Sequence, residues 1–118
     1  MSMRPESAAM LWDAVTSGRS ISTFLEGVSK AEYVRDLLRR RAVERELEIV
    51  GEALGKLRKA DPETAARIPF LNDAVGLRNV LIHGYAEVID ERIYDTAVRD
   101  VPELVVILAA LLDGDQDQ

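Results

Sequence analysis

Apolar residues recur at alternating spacings of three and four along almost all of this chain, and no stretch alternates with period two. Leu11, Ala14, Gly18, Ile21, Leu25 and Val28 form one such row, which predicts a helix from about Ser7 to about Glu26. Ser29 and Glu32 have the spacing of a capping box. The pattern beyond them (Tyr33, Leu37, Val43, Leu47, Val50, Leu54, Leu57) predicts one long second helix ending near Lys59. A second row on it, Leu38, Ala42, Ile49 and Ala53, implies packing on more than one neighbour, inside a bundle or in a dimer. Asp61-Pro62 opens a short helix that Ile68-Pro69 closes. The next helix is expected to take Asn72 or Asp73 as its cap and to stop at Gly84. Asp90 is expected to cap the last, whose stripe runs from Ile93 through Val98 and Leu104 to Leu112. Pro102 should kink or restart that helix, with Asp100 as the new cap. The expected architecture is an all-α, up-down bundle of four main helices plus short ones. It fills one domain over residues 1–118, with residues 1–6 and 114–118 fraying.

Composition narrows the chemistry. The 118 residues contain no cysteine, which removes disulfides and thiolate metal sites. No secretory leader is evident, and the apolar run from Leu104 to Leu112 is too short to span a bilayer, so a cytoplasmic, membrane-free protein is expected. A net charge of −6 argues against nonspecific coating of nucleic acid but leaves room for a local basic cleft. Arg35, Arg39, Arg40, Arg41 and Arg45 cluster, and read first as a solvated helix face with charge partners. Glu44, Glu48 and Glu52 share a face that could hold magnesium, though a solvated acidic stripe is the simpler reading, and no cofactor is implied. Gly51 and Gly55 lie mid-helix, where they would permit close helix packing.

The remaining chemistry is concentrated between Arg78 and Tyr85. On an ideal helix Ala74, Leu77 and Leu81 form the core stripe, while Arg78, Asn79 and His83 fall on the other side within an arc of about 140°. Histidine suits proton transfer near neutral pH, and arginine offers a permanent forked donor for a phosphate that gains charge in a transition state. Asparagine can orient either the imidazole or a phosphate oxygen. Such a set can cleave RNA without a metal, with the neighbouring 2′-hydroxyl as nucleophile. It equally suits a purely structural role, in which His83 in the last turn complements the helix dipole. Spacing alone leaves both open. Val75 and Ile82, which flank Arg78, suit either a dimer seam or burial within the bundle.

The run Ile68-Pro69-Phe70, Gly76-Leu77-Arg78-Asn79 and Ile82-His83-Gly84-Tyr85 resembles the HEPN superfamily, and more narrowly the HepT-like toxins with their Arg-x4-His-x-Tyr motif. Leu47-Glu48-Ile49-Val50-Gly51-Glu52-Ala53 and Asp100-Val101-Pro102-Glu103-Leu104 are similar to helices of the same family, so that the resemblance covers about Arg41 to Leu104. It implies a helical bundle that dimerises with two motif helices facing each other, and a metal-independent endoribonuclease. Arg78 and His83 would be catalytic and Asn79 would assist. Tyr85 would accept AMP from ATP through an MntA-like minimal nucleotidyltransferase antitoxin, which would silence the toxin. The alternative is a noncatalytic nucleotide-binding or regulatory helical subunit that docks a nucleotidyltransferase.

Overall fold

The computed structural model describes residues 3–84 and 89–116, and among them there is helix and no strand. The elements are α1 (Pro5–Phe24), α2 (Lys30–Arg35), α3 (Leu37–Ala60), α4 (Pro62–Ala65), α5 (Leu71–His83) and α6 (Asp90–Asp95). A π-helical turn (Thr96–Asp100) then runs into α7 (Val101–Gln116). The four long helices, α1, α3, α5 and α7, with three short ones, give the expected all-α bundle.

Side-chain ties show which ends meet. Ser7 near the start of α1 donates to Asp61 beyond the end of α3 at 2.7 Å, and Arg39 near the start of α3 donates to the carbonyl of Phe24 at the end of α1. These helices are therefore antiparallel. Arg58 on α3 donates to Asn72 on α5 at 2.8 Å, while Gly51 lies against Ala74 and Arg78, so α5 runs antiparallel to α3. Gly18 lets α7 cross α1 closely: a Cβ there would stand 2.4 Å from Val105 Cγ2. In space the order is α5, α3, α1, α7.

The core forms two clusters along the bundle. One gathers Leu11, Val15, Leu54, Leu57, Leu104 and Leu108; the other gathers Ile21, Tyr33, Val43, Ile93, Ala97 and Val101. Between α5 and the π turn that leads into α7, the bundle stays open as a groove of about 310 Å³ over Leu47 and Val50 of α3.

Several boundaries differ from the periodic reading, each for a local reason. Helix α1 starts at Pro5, whose ring suits the first helical position, and ends at Phe24. The single long second helix is instead two. The capping box at Ser29 and Glu32 forms, but the chain breaks at Asp36 (φ −107°, ψ 89°), whose carboxylate accepts from the Arg39 amide at 3.0 Å and starts α3 afresh. Leu37 and Leu38 are left exposed at that new start. Neither Asn72 nor Asp73 caps α5; Phe70 does, in the left-handed region at φ 71°, without a side-chain cap. Ile89 rather than Asp90 caps α6, and Asp90 pairs with Arg40 at 2.9 Å. Pro102 neither breaks the last helix nor needs Asp100 as a cap, because the wider π turn precedes it. That turn also shifts the phase, which leaves Val98 exposed instead of on the apolar stripe.

Candidate active site

The helix that carries Arg78, Asn79 and His83 is α5. Its entry is fixed by buried Ile68 and Leu71 on either side of Pro69 and Phe70, and its exit by Gly84 at φ 61°, the left-handed terminator expected from the sequence. Ala74, Leu77 and Leu81 face inward as the core stripe, the first against one apolar cluster and the other two against the second. Leu71 is nonetheless the one fully buried residue of the helix, so α5 rests on α3 and turns its other side outward.

Arg78 is positioned by what α3 lacks. A Cβ at Gly51 would stand 2.2 Å from Arg78 Cβ and 2.8 Å from the Ala74 carbonyl oxygen, so only glycine lets the arginine stem lie on α3. The guanidinium then reaches two groups. Nη2 lies 3.6 Å from Glu52 Oε1, and Nη1 donates to Asn79 Oδ1 at 3.2 Å. Nε is buried with no hydrogen-bond partner. The arginine side chain remains about one-third exposed (31%). A face of its charge thus stays open to a ligand.

Asn79 and His83 are exposed. The structure joins Asn79 to Arg78 directly, and His83 follows one turn later, about 6 Å along the helix axis. His83 occupies the last position of α5, immediately before Gly84. Tyr85, the expected AMP acceptor, lies outside the described residues. Of the two apolar residues flanking Arg78, Ile82 is exposed (42%), whereas Val75, two turns earlier on α5, is half-buried against the core beside Gly55.

The acidic row on α3 is taken up by arginines: Glu44 pairs with Arg41 at 3.1 Å, Glu48 with Arg45 at 3.2 Å, and Glu52 with Arg78. Among the described residues no three His, Asp or Glu side chains converge on a metal position. Of the basic cluster, Arg41 and Arg45 form the solvated face read from the sequence, with Glu44 and Glu48 as partners, and Arg35 is exposed; Arg39 pairs with Asp36, whereas Arg40 is largely covered and ties α3 to Asp90 of α6. Gly51 fulfils the expected close packing, but Gly55 does not require it, because a Cβ there would meet Val75 at an ordinary 3.7 Å. Sequence reasoning overlooked two things: Glu52 as the partner of Arg78, and the cations Lys56 and Lys59 beside it. The 52, 56, 59 spacing, which puts all three on one face of α3, is the signal that could have found them. No described helix is long and apolar enough to cross a membrane.

Residues 16–111 match the family model described as ribonuclease HepT-like. The chain is 36% identical over 80 residues to a protein named "Putative RNase TTE0752" from Caldanaerobacter subterraneus subsp. tengcongensis, covering 68% of this chain and 70% of the relative. Two proteins of Methanocaldococcus jannaschii, named "Putative RNase MJ1380" and "Putative RNase MJ0125", are 31% and 32% identical over 96 residues. Those matches cover 81% of this chain and 87% and 82% of the relatives. No solved structure matches significantly.

Proposed function

This chain belongs to the HepT-like ribonuclease family, and we propose that it is an endoribonuclease that works at the exposed end of α5. The observation that carries the reading is the held but partly open guanidinium of Arg78, one to two turns before an exposed histidine on the same helix. Arg78 would bind the scissile phosphate and stabilise the charge that builds on its oxygens. The ribose 2′-oxygen attacks phosphorus, the P–O5′ bond breaks, and a 2′,3′-cyclic phosphate and a 5′-hydroxyl result. His83 would accept the 2′-hydroxyl proton or donate one to the departing O5′. Asn79 would hold the guanidinium in register. No metal is needed for any of these steps.

One histidine per chain cannot serve as base and acid in the same step, which favours a homodimer with two α5 helices facing each other. The uncovered side of α5 and the exposed Ile82 support that arrangement. The regulatory part of the proposal is that the chain acts as a toxin, silenced when an MntA-like nucleotidyltransferase moves AMP from ATP onto Tyr85. A phosphate two residues beyond His83 would compete with RNA for Arg78, and its nucleoside would obstruct the same surface.

Cleavage of RNA in excess chelator, wild type against Arg78→Ala and His83→Ala, tests the reaction. Each variant should lose activity by about 10²-fold or more while keeping its fold, and the wild-type products should end in cyclic phosphate. Full activity in either variant removes that residue from the mechanism. Tight nucleotide binding without turnover would support the regulatory subunit instead. Incubation with ATP and the nucleotidyltransferase should add the mass of AMP to wild type but not to Tyr85→Phe.

A further inference from the structure

On the far side of Arg78 from the groove near α7, a second depression of about 300 Å³ runs between α3 and α5. Lys56, Arg58 and Lys59 line it together with Arg78 and Asn79, and Glu52 is its one carboxylate. Four cations against a single acid invert locally the sign of a chain whose net charge is −6. Two of the four have simple alternative duties: Arg58 bonds Asn72, and both Arg58 and Lys59 fall in the last turn of α3, where positive charge complements the helix dipole. Lys56 stands a turn earlier and is exposed, and neither it nor Lys59 forms an ion pair among the described residues. The two lysines are about 4.5 Å apart along the α3 axis. Gly51 and Gly55 keep the floor low, so that the lysines and Arg78 border the same open space.

We infer that this α3–α5 groove is a phosphate-binding track that seats the RNA backbone next to the scissile phosphate, with Lys56 and Lys59 as its contacts. The inference rests on the ribonuclease reading and extends it from the reaction centre to the strand beside it. Arg78 would be the shared element: its stem forms the wall of the track and its guanidinium faces the reacting group. An incoming phosphate would relieve the long Glu52–Arg78 pair, which at 3.6 Å is easily exchanged. Phosphate contacts of this kind fix position and carry no sequence information, so the track would set affinity and register for any single strand.

The test is the salt dependence of binding of a labelled single-stranded RNA to full-length His83→Ala protein, which binds without cutting. Adding Lys56→Gln and Lys59→Gln should weaken binding about tenfold near physiological salt and flatten the log–log slope by about 1.4, since each single-strand phosphate contact contributes about 0.7. Replacing Arg19 and Arg92, exposed cations on α1 and α6, by Gln changes the net charge equally and should leave the slope unaltered. Equal effects from both pairs, or none from the lysine pair, overturn the track. Wild-type cleavage with unchanged lysine-variant binding would sink the track alone. Absence of both cleavage and binding in the parent proteins would sink the ribonuclease reading beneath it.

Discussion

Tyr33 is fully buried against Tyr94, their ring centroids 5.6 Å apart, yet its hydroxyl has no hydrogen-bond partner among the described residues. Burial pushes the phenol far above its ordinary pKa, so it stays neutral at any working pH. An unmade bond on a buried hydroxyl costs about 1–3 kcal/mol. Tyr33→Phe should therefore hold or raise stability, by up to about 1 kcal/mol in urea unfolding, where most core changes in this cluster should lower it. Asp61 is the opposite case. Its carboxylate accepts from Ser7 and Thr64 hydroxyls, both at 2.7 Å, and from the Thr64 amide, and these bonds hold its pKa below the usual carboxylate range. A carboxyl lowered on folding contributes its full stability above the unfolded value, near 3.9, and surrenders it as pH falls through the folded value. Asp61→Asn should melt below wild type at pH 7, and the gap should close as pH drops below about 4. A gap that persists unchanged at pH 3 would mean that charge is not what Asp61 supplies. At this scale the sequence offered candidates where a residue type carries its own chemistry, as at Arg78 and His83, and left their roles open. It was silent on Glu52, because the partner of an arginine 26 positions away depends on how two helices cross.

Helix boundaries were legible where a backbone rule fixes them. Ser29 with Glu32, Pro62 and Gly84 all act as their residue types require. Asp36 was not legible, because the apolar period runs straight across it: α2 buries Tyr33 and α3 buries Val43, so the row looks continuous although the chain breaks between them. The π turn was hidden for a similar reason, since an added residue changes phase without changing composition. The glycines of α3 give the sharpest contrast between pattern and contact. Gly51 and Gly55 are one turn apart and look alike in the sequence, yet one sits under backbone and the other under a single methyl at ordinary distance. Gly51→Ala should cost about 1–3 kcal/mol, because α5 must move off α3, and should impair RNA cleavage by displacing Arg78. Gly55→Ala should be neutral or gain up to about 1 kcal/mol from helix propensity. Paired thermal melts with cleavage assays check both; equal losses at the two sites would refute the distinction.

The bundle as a whole was readable because each helix needs one apolar face covered, and four long amphipathic helices have few ways to do so. What periodicity does not report is how unevenly the covering is shared. Helices α1 and α3 are packed on several sides, whereas α5 leans on α3 with the groove over Leu47 and Val50 open beside it. Exposed Ile82 near the site is a natural contact for a second copy. Sedimentation at tens of micromolar should show twice the 13.1 kDa chain mass, and Ile82→Glu should return it to one. A wild-type chain that sediments at one would reject the dimer.

The one-sided support of α5 has a further consequence under the dimer reading. A helix held from one side opens locally more readily than helices packed on several, and a second copy that covers it closes it by mass action. The competent site is then a property of chain pairs. Below the dissociation constant its abundance follows the square of total concentration, so halving the chain would quarter the cutting. A law of that form keeps a low basal copy number nearly inert and makes a modest rise in copy number count disproportionately.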